Sequence, residues 1–258
     1  MSEPPATGAR AFQIKPRGSL VRTLSQAAAW IDEVGLALVF PKADVVLPSL
    51  WEQVNGSPLG NWAVRDDNGG FVRWTDEMSF LWHAKDDLPA QGLACVGKHV
   101  ARVAACIAPR LVPTLVASAE PYEPEGIELE VVEAVTRLGP LTGPDLREAI
   151  GASKKDVDKA VALLHRALVL TNSHLVEQDG PWGALAHELL RRKWKVPKRL
   201  PARAVARREL ACVFLAVAGE VTAADLRPLG WRRNEAAAVL DEVAEAREAE
   251  GFRIWAQR

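Results

Sequence analysis

The sequence predicts a mainly α protein with small β-wings, built from tandem winged helix-turn-helix units. Three observations predict it. Residues 127–189 run helix, polar turn, short helix, second turn, longer helix and then two apolar β-ribbon segments. The motif T-x-x-D-L-R occurs twice, at Thr142–Arg147 and Thr222–Arg227, in each case after one amphipathic helix and before another. Breaks rich in proline and charge, "SAEPYEPEG" (118–126) and "VPKRLPA" (196–202), set off three units at 19–117, 127–195 and 203–258.

In chain order, residues 1–18 are rich in Pro, Gly and Ala and read as a loose arm. Leu20, Leu24, Ala28 and Ile31 recur at helical spacing, and the short apolar run "LALVF" follows. "ADVVLPSLWEQVNG" reads as a helix or loop closed at Gly56, and 57–72 as a loop or hairpin tip. Residues 74–117 read as largely helical, divided by Pro89, Pro109 and Pro113. "IELEVVEAVTRLG" places Ile127, Val131, Val132 and Val135 on one stripe. Thr142 and Thr222 are natural N-caps, each with an Asp at the third helical position. Ser153 caps the next helix, which turns Val157, Val161, Leu164 and Leu168 inward and leaves Lys154, Lys155, Lys159 and Arg166 outside. "LVLTNSHLVEQDGPW" is the wing, bending at Asn172–His174 and at Asp179–Gly180. The last helix, "NEAAAVLDEVAEAREAE", is acidic.

Charge sets the functional question. The net charge is −1, so no overall field draws the chain to a polyanion and any such binding needs a local patch. Lysines at the first turn of a helix oppose its macrodipole, an arrangement that a phosphate would reverse. The competing reading is a solvated, solubilising face. "RRKWKVPKRLPARAVARR" (191–208) carries nine Lys/Arg and no acid, with Trp194 between two lysines. Its Arg191, Arg192, Lys193, Lys195, Lys198, Arg199 and Arg203 are candidate phosphate contacts, unless acidic surface elsewhere pairs them. Of nine tryptophans, Trp62, Trp74 and Trp82 cluster, as core anchors or as a stacking surface.

Cys95, Cys106 and Cys212 lie in apolar runs and read as reduced core residues. No Cys/His ligand spacing, phosphate loop or dinucleotide motif appears, so no metal or cofactor is expected. Without a signal core or a membrane-length apolar run, the expected place is the cytoplasm, on the nucleoid if DNA is bound.

With these elements placed, the chain resembles the AlkZ/YcaQ-type winged-helix DNA glycosylase family. "VRWTDEMSFLW" (72–82) is similar to the family's "YWAHEACFMP" segment, "VTRLGPLTGPDLR" (135–147) to its second-unit entry, and "ARRELACVFLAVAGEVTAADL" (206–226) to its third-unit entry. The resemblance implies tandem winged helices, binding of double-stranded DNA and excision of alkylated bases. It also implies a Q-x-Q or Q-x-D pair in the first unit, which orients water and stabilises a cationic sugar. Here "LALVFPK" (36–42) stands in that place, and Asp76 replaces the family's His beside the retained Glu77. The resulting expectation is a DNA-binding protein that has lost or altered the glycosylase chemistry. A second reading keeps the activity, on Asp76 and Glu77 with Gln53 or Asn55. A third is a protein-interaction module whose acidic last helix docks a basic partner.

Overall fold

The computed structural model describes residues 19–57, 60–177, 183–249 and 252–256. The predicted arm and the Asp179–Gly180 bend lie outside the described residues. The 19–117 stretch forms α1 (Leu24–Val34), β1 (Leu36–Leu38), α2 (Leu50–Asn55), the hairpin β2 (Ala63–Arg65) and β3 (Phe71–Trp74), α3 (Asp76–Ala90), β4 (Cys95–Val100), β5 (Val103–Ile107) and α4 (Val112–Ser118). The middle stretch forms α5 (Ile127–Leu138), β6 (Leu141–Thr142), α6 (Gly143–Ile150), α7 (Lys154–Arg166), β7 (Leu170–Val176), β8 (Ala184–Leu189) and α8 (Leu190–Lys193). The last holds α9 (Arg203–Ala218), β9 (Glu220–Val221), a 3-10 turn (Ala223–Leu229), α10 (Arg233–Val243), β10 (Glu245–Ala249) and β11 (Phe252–Ala256). The chain is mainly α with small antiparallel sheets.

One pattern repeats three times. A helix, a short strand, a second helical segment, a third helix and a β-hairpin follow one another. In each three-stranded sheet the first strand pairs with the last: β1–β5–β4, β6–β8–β7 and β9–β11–β10. The first repeat differs by the β2–β3 hairpin inserted between its second and third helices.

The second helical segment of every repeat opens on the same capping box. Ser49 donates N–H and Oγ–H to Glu52 at 2.8 and 2.6 Å. Thr142 does the same to Asp145 at 2.9 and 2.7 Å. Thr222 does so to Asp225 at 2.7 and 2.8 Å. Each segment ends on a left-handed glycine, Gly56, Gly151 or Gly230. The repeated T-x-x-D thus has a third member in the first repeat, Ser49–Glu52, where the wider sequence match is lost. Burial raises the Glu52 pKa, against the hydrogen bonds from Ser49. Thr142→Ala and Thr222→Ala are expected to cost about 1 kcal/mol each in urea denaturation. Ser49→Ala should cost about 2 kcal/mol, because the buried Glu52 carboxylate loses its hydroxyl partner.

Two predicted elements are corrected. Residues 95–107, read as helical, form the β4–β5 hairpin, whose strands are covered on both faces apart from Lys98 and therefore show no alternation. The acidic last helix stops at Val243, and Glu245–Ala249 is a strand paired with β11. The Asn172–His174 bend is a register shift within β7–β8.

The 19–117 and 203–258 stretches share one apolar core, running from Trp30, Leu38 and Ile107 to Leu210, Phe214 and Trp255. The middle stretch has its own smaller core around Val131, Leu146, Val157 and Leu164. Cys95 and Cys106 are buried, which raises both thiols to about 12, but Cys212 is exposed on α9 rather than in the core. No helix among the described residues is long and apolar enough to cross a membrane.

Candidate nucleic-acid interface

The third helix of the middle repeat, α7, presents the predicted arrangement. Ser153 caps it, accepting from the Asp156 amide at 3.3 Å and donating to the Asp156 carboxylate at 2.6 Å. Val157, Leu164 and Leu168 are buried and Val161 is half-buried. Lys154, Lys155, Lys159 and Arg166 are exposed, and none of the four has an ion-pair partner within 4 Å among the described residues. The Asp156 carboxylate accepts from Ser153 and makes no ion pair within 4 Å with these cations among the described residues.

The basic run at 191–208 divides into two sets. Part of it is structural. Arg192 binds Glu188 at 2.8 Å and donates to the Val135 carbonyl at 2.8 Å, closing the end of α5. Lys193 is half-buried against the Ser173 carbonyl, and desolvation lowers its pKa. Arg203 and Arg207 converge on Glu120 at 2.8 and 2.9 Å, which fastens the 118–126 linker to α9. Arg207 also pairs with Glu235 at 3.4 Å and lies over Trp231, and Arg208 pairs with Glu242 at 2.9 Å. The acidic residues of α10 thus complete an internal network with α9, which leaves less acidic surface for a basic partner. The rest of the run, Arg191, Lys195, Lys198 and Arg199, is exposed. Trp194 is half-buried and packs on the larger core.

The tryptophan cluster splits as well. Trp74 and Trp82 pack 5.1 Å apart against the larger core, whereas Trp62 stacks on Phe71 at the exposed β2–β3 hairpin.

Two acid–base candidates of the first repeat, Gln53 and Glu77, adjoin its entry segment, residues 19–22. Arg22 donates to the Val54 carbonyl at 2.5 Å and lies 3.7 Å from Glu77. Gln53 is buried, and its amide donates to the Ser19 carbonyl at 2.9 Å. Asn55 donates to the Ser57 carbonyl at 3.1 Å. Asp76 points outward and pairs with Arg73 at 3.0 Å. Gln53 and Asn55 thus hold backbone, Asp76 lies at the surface and Glu77 is half-buried. A surface cleft of about 470 Å³ opens between α5 and α6, lined among others by Glu130, Glu133 and Arg137, and none of these candidates lines it. Among the described residues, no three His, Cys, Asp or Glu side chains are placed to hold a metal ion.

Over this architecture, 97% of the chain superposes on 69% of Streptomyces sahachiroi DNA glycosylase AlkZ, with a TM-score of 0.57 and 10% sequence identity. The chain has the fold of AlkZ. No family model matches the sequence, and no curated protein does. The likeness to AlkZ is therefore one of backbone course across nearly the whole chain, with almost every side chain changed. Sequence reasoning missed one buried polar group that this course creates, formed by His99, His165 and His187. These residues lie 22 and 66 positions apart along the chain, and no local motif joins them.

Proposed function

We propose that the protein binds double-stranded DNA through tandem winged helices and lacks the glycosylase chemistry of its structural neighbour. In this reading the three repeats are three winged helix-turn-helix units, and α7 is the helix that enters the major groove. The observation that carries the reading is the set of unpaired lysines on the first turn of α7, in a fold shared with a DNA glycosylase. The helix's own N–H groups and Lys154 and Lys155 would then address the same phosphates. Arg191, Lys195, Lys198 and Arg199 extend the contact along the backbone. Arg192, Lys193 and Arg203 act indirectly, by holding that segment in place.

The loss of chemistry rests on β1. Leu36, Ala37 and Leu38 are all buried, so this strand offers no polar group to a sugar cation. The reading is tested with a duplex carrying alkylated purines. Binding is expected to be salt-dependent, with no base release above the spontaneous rate. If base is released, and Asp76→Asn with Glu77→Gln abolishes the release, an active enzyme with altered catalytic residues replaces this reading. Duplex affinity that does not change with salt removes the DNA reading altogether.

A further inference from the structure

Three histidines from three elements meet where the first repeat docks on the second. His99 comes from β4, His165 from the end of α7 and His187 from β8. His99 and His165 stack with ring centroids 5.3 Å apart, and His187 meets His165 edge-on at 5.1 Å. His99 and His165 are buried and His187 is half-buried.

Hydrogen bonds hold all three rings, and one of them fixes a proton. His99 Nδ1 lies 2.7 Å from the His165 carbonyl, which can only accept, so Nδ1 donates. In the neutral ring His99 Nε2 is then a lone pair, 3.3 Å from the Thr171 hydroxyl, which also lies 3.3 Å from the Val96 carbonyl and 3.4 Å from Cys95 Sγ. His165 Nε2 and His187 Nδ1 are 3.1 Å apart and share one proton. His165 Nδ1 is buried with no hydrogen-bond partner among the described residues and faces Gly97, where an added Cβ would lie 2.7 Å away. A second proton on His165 would therefore set a positive charge and an unpaired N–H against backbone.

The surroundings offer little to neutralise such a charge. Lys98, next to His99 on β4, disfavours protonation of both His165 and His187. Asp158 on α7 favours it weakly at His187. Lys193 faces Cys95. On α3, which packs against β4 and β7, Asp86 is held by Lys85 at 2.6 Å.

We propose that this histidine seam is an acid-released latch between the 19–117 and 127–195 units: neutral imidazoles hold β4 against α7 and β7, and protonation parts them. Burial lowers His99 and His187 to about 4, and His165 lies well below its ordinary range for the same reason. A solvated histidine titrates near 6.5, so between those values the parted state binds more protons than the closed one. Closure is therefore fully favoured above about pH 6.5 and weakens as pH falls toward 4. Each histidine released raises the opening constant by up to about tenfold per pH unit.

The latch does not depend on DNA, so it is tested on the full chain alone. The measurement is backbone amide exchange, corrected for intrinsic rates, from pH 7.5 to 4.5. Amides of β4 and β7 are expected to lose protection by up to about a thousandfold per pH unit, about tenfold for each of the three histidines, while those around Val131 and Leu146 in the smaller core keep theirs. Lys98→Glu, at the one exposed residue of β4, should move the midpoint to lower pH, because it eases protonation in the closed state. The proposal is overturned if protection at the seam is independent of pH, if both sets of amides lose protection together as in global acid unfolding, or if Lys98→Glu leaves the midpoint unchanged. The DNA reading stands or falls separately, on binding at neutral pH.

Discussion

Replacing Lys154, Lys155 and Lys159 together with alanine is expected to weaken duplex binding on the order of a hundred- to a thousandfold at 50 mM salt. Each phosphate contact contributes roughly 0.9 to the slope of log affinity against log salt, so the triple variant should lower that slope by roughly 2.7. The fold should be untouched, because the three side chains are exposed and relief of the unfavourable dipole contact is a small gain. Lys42→Ala is the control, since Lys42 pairs with Asp44 at 3.1 Å in the first repeat and belongs to neither basic set. Titration of one labelled duplex at several salt concentrations gives both the affinity and the slope. A triple variant with the parental slope would mean that α7 faces away from the duplex, and the lysines would be the solvated face that the sequence also allowed.

The sequence made α7 legible because every signal there was local. Ser153, the apolar stripe and the exposed lysines all lie within one helix, and each reports on its own neighbours. The capping boxes at Thr142 and Thr222 were legible for the same reason. The basic run was legible as charge but not as structure. Glu120, which takes Arg203 and Arg207, lies 83 and 87 residues away from them in the chain. A count of lysines and arginines cannot separate those that bind a distant carboxylate from those left in water. The β4–β5 hairpin was misread because it is covered on both faces, by the larger core and by the histidine seam, so period-2 alternation disappears. At the C-terminus, "EAREA" has good helical propensity, and pairing with β11 overrides it.

Gly97→Ala is expected to be among the most damaging single substitutions in the chain, costing about 3 kcal/mol or more in urea denaturation. A Cβ at this position would lie 2.4 Å from His99 Nε2, 2.7 Å from His165 Nδ1 and 2.9 Å from His99 Cδ2. Real Cβ atoms do not approach that closely, so both rings would have to move. Neither can swing aside cheaply, because each is buried and pinned, His99 to the His165 carbonyl and His165 to His187. The glycine is thus required by close approach rather than by an unusual backbone angle. That distinction gives a control: Gly143→Ala, at a glycine where a Cβ meets nothing within 4 Å, should cost little. It also gives a coupling test. Truncating His99 removes two of the three clashing atoms, so Gly97→Ala should cost less in a His99→Ala background than alone, by 1 kcal/mol or more on the scale of contacting residues. Simple additivity would show that the damage arises in the strand itself, for instance at the strained Ala101–Arg102 turn, where both residues have positive φ, and not in the packing of imidazole against backbone.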